Sequence, residues 1–203
     1  MSDRRIYIAC LAAYNSGILH GAWVDTFMMD EDDLMKEIRE KVLITSPCPN
    51  VLVDCPDCEG EEGRTDCQRC HGKGKVPSSE EFAIHDHEGF PSGLIGEYTS
   101  MKEVATLEEL LEDVGEDDEE AFMIYANDCV GGDIKDVTVE KFREAYRGKY
   151  DSEKAFAEEW ACETGTIDDQ HPMFSYIDWE HYWTGCLQFD FYYKGGYVFD
   201  RNV

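Results

Sequence analysis

Basic residues are scarce. Across 203 residues, 18 Lys and Arg stand against 45 Asp and Glu, a formal net charge of -27. Binding to phosphates needs clustered Lys and Arg, so direct nucleic-acid binding is excluded as a function class. Long apolar runs are missing as well. A bilayer span takes about 20 apolar residues, and the stretch from Ile6 to Tyr14 falls well short of that and has neither a stop-transfer pattern behind it nor the form of a secretion signal. No membrane association is expected, and the cytoplasm is the expected location. The chain has no Gly-rich phosphate loop, no nucleophile elbow and no HExxH, so no enzymatic activity is expected. Internal repeats are absent too.

What the chain does have is material for a core. Hydrophobic residues make up 42% and aromatics 12%, with 4 Trp, 11 Tyr and 10 Phe. Disordered acidic segments are poor in such residues, so a folded body must be carrying this self-repulsion.

The opening segments RIYIACLAAY and GILHGAWVD read as two strands joined around Asn15, Ser16 and Gly17. Asp30 is placed to cap a helix whose buried stripe is Leu34, Ile38 and Val42, ending before Pro47. EFAIHDHEGF returns to strand-like alternation, with Phe82, Ile84 and Asp86 on one face, and completes a small antiparallel sheet. Ser100 and Glu103 form a capping box for a helix lined by Met101, Val104, Leu107 and Leu111 and stopped at Gly115. Further helices are expected from Asp117, packing Ala121, Phe122, Tyr125 and Cys129 before Gly131 and Gly132. Another carries Val139, Phe142 and Tyr146 up to Gly148, and one begun at Asp151 or Ser152 carries Phe156 and Trp160 up to Gly165. QFDFYY, KGG and YVFD read as a closing hairpin turning at Gly195 and Gly196.

The charge is unevenly distributed. Residues 1–54 carry a net of -4, residues 55–76 a net of -1 and residues 77–203 a net of -22. Glu108 with Glu112 and Glu109 with Asp113 are like-charged i, i+4 pairs, each unfavourable by roughly 0.2–0.5 kcal/mol. An ordinary solvated face would intersperse Lys. The candidate acidic surface comprises Glu108, Glu109, Glu112, Asp113, Glu116, Asp117, Asp118, Glu119, Glu120, Glu144, Asp151, Glu153, Glu158, Glu159, Glu163, Asp168 and Asp169. Duplex DNA carries one charge per roughly 1.7 Å of axis, so this net charge matches about 46 Å of duplex, and a dimer about 90 Å.

The nine cysteines include two CxxC units, Cys55 with Cys58 and Cys67 with Cys70. Four thiolates in two knuckles suit one tetrahedral, structural Zn2+ with no open coordination position. The second knuckle resembles the CxxCxGxG repeat of DnaJ-type chaperones, while the first has Glu62 where the last Gly would fall. Cys48 and His71 are possible substitute ligands. A metal-stapled loop is favoured over redox chemistry, since a thiol oxidoreductase needs a reactive, low-pKa thiolate. His85 and His87 are a weak metal hint, and a plain strand end is the better reading.

Long blocks of the chain, IYIACLAAYNSGILHGAWVD, FAIHDHEGF, EYTSMKEVATLEELLE, ACETG and YIDWEHY with the closing aromatic hairpin, resemble the ArdA antirestriction family in order and spacing. The resemblance covers nearly everything outside residues 47–77. It implies an elongated, three-domain α+β protein of small antiparallel sheets with packed helices, carried by a mobile genetic element. The corresponding segments are an N-terminal α+β domain at 1–92 with the zinc-knuckle insert at 47–77, a helical domain at 93–133, and a C-terminal α+β domain at 134–203. The resemblance further implies a homodimer and a DNA mimic that occupies the DNA-binding groove of type I restriction-modification enzymes. Within Thr166 to Tyr182, it places Tyr176, Ile177, Asp178, Trp179 and Tyr182 in the antirestriction motif near the dimer contact, although these aromatics read alone serve equally well as core. The alternative is a zinc-dependent, chaperone-like or scaffold protein that binds basic partners.

Overall fold

The computed structural model describes residues 4–90, 93–131 and 134–203, and the chain divides into two compact units, residues 1–109 and 110–203. The domain boundaries expected at residues 92 and 133 fall at 91–92 and 132–133, outside the described residues. Helices and small antiparallel sheets make the chain α+β. No described helix is long and apolar enough to cross a membrane.

In the first unit, β1 (Arg5–Cys10) buries Ile6 and Ile8 completely. The apolar run then leaves the strand. Leu11–Asn15 form a one-turn helix, α1, closed by the Ser16 and Gly17 amides donating to the Ala13 and Tyr14 carbonyls. The expected first strand is therefore shorter than its apolar run, because Leu11, Ala12 and Ala13 are good helix formers. After β2 (Gly21–Asp25), Asp30 accepts the Asp33 amide at 2.9 Å and caps α2 (Glu31–Ile38). A π-helical turn, Arg39–Leu43, extends α2 and keeps Leu34, Ile38 and Val42 on one fully buried stripe, as their spacing predicts.

β3 (Val51–Asp54) and β4 (Lys75–Ser78) pair as a separate antiparallel ribbon. β5 (Phe82–Glu88) returns to β1, giving sheet order β2-β1-β5. Tyr7 faces Asp86 while Ile8 faces Ile84, so His85 is the extra residue of a β-bulge. The bulge breaks the alternation that predicts His85 and His87 on one face. Ser100 and Glu103 make the expected reciprocal capping box on α3 (Met101–Val114). Met101, Val104, Leu107 and Leu111 are buried, and Gly115 ends the helix at φ +85°.

In the second unit, α4 (Glu119–Ile124) starts two residues beyond the expected Asp117 and continues as a π-helical turn, Tyr125–Cys129. Ala121, Phe122 and Tyr125 are buried as expected, whereas Cys129 is exposed. Of the two glycines expected to close this segment, Gly132 lies outside the described residues. Thr138 caps α5 (Val139–Ala145), which ends one residue before Tyr146. Tyr146 instead opens β6 (Tyr146–Lys149) and stacks on Phe142 with ring centroids 5.2 Å apart. Ser152 caps α6 (Glu153–Glu163), and Asp178 caps α7 (Trp179–Gly185). β7 (Phe191–Lys194) and β8 (Tyr197–Asp200) form the expected hairpin. Both turn glycines have positive φ, which a two-residue turn of this hand demands. β8 also pairs with β6, in sheet order β6-β8-β7. Phe156, Trp179, Trp183, Leu187 and Phe191 pack as one aromatic core.

Candidate metal centre and acidic surface

The β3–β4 ribbon holds both ends of the cysteine module. At its open end Asp54 pairs with Lys75, and the Cys55 amide donates to the Gly74 carbonyl at 2.9 Å. Each CxxC then turns in the same way. The residues after Cys58, Glu59 and Gly60, have φ +52° and +80°, and those after Cys70, His71 and Gly72, have φ +51° and +83°. Left-handed backbone at both places folds the following amides back over the knuckle. A further amide, Gly63 to the Gly72 carbonyl at 2.8 Å, ties one knuckle to the other. Gly74 has no room for a side chain, since a Cβ there would lie 2.5 Å from the Gly60 carbonyl oxygen.

Cys55, Cys58, Cys67 and Cys70 are all buried, and their sulfurs lie within 4.8 Å of one another. The Sγ atoms of Cys55 and Cys67 are 3.7 Å apart, and those of Cys58 and Cys70 are 3.6 Å apart. Disulfides need about 2.05 Å. A tetrahedral ion with metal–sulfur bonds of about 2.3 Å sets its ligands about 3.8 Å apart, so the four thiols fit a metal ion. Among the described residues these four are the group placed to hold one. The possible substitutes stand aside: Cys48 lies outside the group, and His71 is exposed in the second turn.

The thiols do not ionise alike. Burial, with neighbouring cysteines adding to it, pushes Cys58 up to about 12. Burial also acts on Cys70, but hydrogen bonds from the Gly74 backbone, Cys67, Cys58 and the Gly72 backbone outweigh it and bring that thiol down to about 7. Metal uptake must displace the Cys58 proton, so affinity rises with pH.

The salt bridges at the module, Arg69 with Asp57, Arg64 with Asp66 and Lys75 with Asp54, balance its charge locally. The acidic field lies elsewhere. Of the seventeen acids singled out in the sequence, thirteen are exposed, and Asp118, Glu119 and Glu158 are half-buried. Glu108 is a correction. It is 5% exposed and accepts from Arg4 Nε at 2.7 Å and from the Thr26 hydroxyl, so it is an internal ion-pair partner. Glu120 is exposed but also accepts the Tyr197 hydroxyl at 2.6 Å, which anchors it to β8. The ion pairs Arg147 with Asp200 and Lys194 with Asp128 use acids outside the set.

Cys162, on α6, senses this field. Burial, and then the charges of Asp169, Glu158, Asp168 and Glu159, push its thiol above the usual range. Asp168→Asn with Asp169→Asn should therefore lower the pKa of Cys162 and speed its alkylation near neutral pH severalfold, as should added salt. Alkylation rates against pH, read by mass spectrometry at this cysteine, check it, and a rate that neither change alters would contradict it.

The aromatic motif splits. Tyr176 is 79% exposed, Trp179 is buried in the core, and Asp178 is the exposed cap of α7, accepting the His181 amide at 2.9 Å. Ile177 and Tyr182 are half-buried against the same core. Met173 and Phe189 are the other large apolar side chains exposed in this part of the unit.

No curated protein matches the chain in sequence. The family described as Antirestriction protein (ArdA) matches residues 6–199, a span that contains both units' sheets and the cysteine module almost in full. The chain belongs to the ArdA antirestriction family.

Proposed function

We propose that this antirestriction protein is a non-catalytic DNA mimic that occupies the DNA-binding groove of type I restriction-modification enzymes in the cytoplasm. The observation that carries the reading is the exposure of thirteen of the seventeen acids, gathered in residues 109–169. A groove built to bind phosphates presents Lys and Arg, and such a surface releases its counterions as DNA does. The same reading takes the chain as three domains, 1–92, 93–133 and 134–203. The cysteine module holds one structural Zn2+, the ion that four thiolates in closed tetrahedral array suit best.

The protein acts as a homodimer through the motif that carries Tyr176, whose side chain is 79% exposed. Aromatic side chains of this kind are enriched at such contacts.

The test is plating of unmodified phage on cells with a type I system. Neutralising any one exposed acid should change protection by less than about twofold, whereas neutralising six together should cost about tenfold or more, because each exposed charge contributes only about 0.2–0.4 kcal/mol. Full protection by the sixfold variant would overturn the reading.

A further inference from the structure

Beside the β-bulge of the first unit lies an open cleft of about 510 Å³. Its floor is apolar, from the buried Ile84 and Ile95. Asp86 and Glu97 border it with two carboxylates, and among the described residues no Lys or Arg lines it. The bulge inserts His85 between Ile84 and Asp86, and Ile84, His85, Asp86 and His87 all contribute to the lining of the cleft. Tyr14, half-exposed, forms an aromatic wall and meets His85 edge-to-face at 4.9 Å. His87 Nδ1 is buried and has no hydrogen-bond partner among the described residues.

The chain's own nearby cation does not serve this cleft. Arg5 bonds Glu88 at 2.7 Å and stacks over Trp23 at 4.7 Å. A metal ion is also a poor occupant, since the cleft's imidazoles and carboxylates do not bring three ligand atoms together as the cysteines do. What the cleft offers is two anionic acceptors, an aromatic face, two imidazoles and an apolar floor. A guanidinium matches that combination: it is planar, stacks on aromatic rings, is weakly hydrated and has five N–H donors, whereas an ammonium is a compact, strongly hydrated point charge.

We propose that this cleft is an anchoring site for an arginine side chain of the partner enzyme. The assignment rests on the DNA-mimic reading for the identity of the partner, and on the cleft alone for the chemistry. It makes one local contact decisive within a surface whose other charges act diffusely.

Two measurements on the full-length protein test it. In the first, the ring signals of Tyr14, His85 and His87 are followed by NMR during titration with N-acetyl-arginine amide and, separately, N-acetyl-lysine amide. Saturable shifts at these rings are expected with the arginine compound, about fivefold weaker binding with the lysine compound, and loss of both in Asp86→Asn with Glu97→Gln. Equal response to the two compounds, or an unchanged response in the variant, overturns the proposal. In the second, inhibition of a type I enzyme should fall about tenfold in that double variant but less than about twofold in Glu80→Gln with Glu81→Gln, which removes the same charge from exposed acids away from the cleft. Equal losses in the two variants reject a special role for the cleft. If the wild-type protein fails to inhibit at all, the DNA-mimic reading falls, while the arginine titration still decides the cleft.

Discussion

Replacing Cys67 and Cys70 together by serine is expected to abolish metal binding and melt residues 55–74, while the β2-β1-β5 sheet stays folded. The module's interior is four buried cysteines with Val76, flanked by Ile44 and Val53, which is too little apolar material to fold without an ion. Structural zinc in such small modules is worth about 10–16 kcal/mol of apparent binding energy, most of it folding energy. The sheet takes no strand from the module, since β3 and β4 pair only with each other. Hydrogen exchange is the appropriate measurement. Protection of the Cys55, Gly63 and His71 amides should vanish in the variant, or on chelation, while that of Ile8 and Val24 persists. Unchanged protection at the three module amides would show that the thiols are not ligands. Antirestriction activity measured alongside separates two roles: retention marks the module as accessory, and loss with an intact fold makes it the active surface, as the chaperone-like alternative requires.

Glu108→Gln is expected to cost about 1.5–3 kcal/mol, because it takes the charged acceptor away from the Arg4 guanidinium, itself 5% exposed, and from the Thr26 hydroxyl. At 4–8 °C per kcal/mol for a unit of this size, the melting temperature should fall by on the order of 10 °C or more. Glu112→Gln, four positions along α3 and exposed, should change stability by no more than about 0.5 kcal/mol. Thermal melts of the two variants side by side decide the matter, and equal melting temperatures would contradict the internal role of Glu108.

Glu108 also shows where local sequence stops being informative. Its i, i+4 spacing to Glu112 reads as a like-charged surface pair, because the partner that neutralises it is Arg4, over a hundred residues away in sequence. Tyr146 is similar: it continues the helical period from Phe142, but pairing with Phe199 on β8 draws it into a strand. The apolar run after Cys10 could not reveal that it changes from strand to helix at Leu11, since periodicity alone does not separate the two in short stretches. Nor does anything in FAIHDHE announce the bulge at His85, which depends on the register with β1. What was legible had a local cause. Asp30, Ser100 and Ser152 cap the helices they were assigned, Gly115 and Gly165 end theirs, and the paired glycines turn the last hairpin. The cysteine centre was legible for the same reason, as its four thiols sit in two short turns with the spacing that a tetrahedral ion requires. The ribbon holding it is not among the strands expected from the sequence, although VLVD and KVPS flank the module with alternating burial.

If exposed carboxylates stand in for DNA phosphates, this protein and duplex DNA must compete for the same groove. The decisive measurement is competition between the two for a purified type I enzyme across a range of salt concentrations. The account predicts mutually exclusive binding, with affinity falling steeply and linearly on a log–log plot as salt rises, in parallel with DNA. Simultaneous binding of both, or an inhibition constant indifferent to salt, would contradict it.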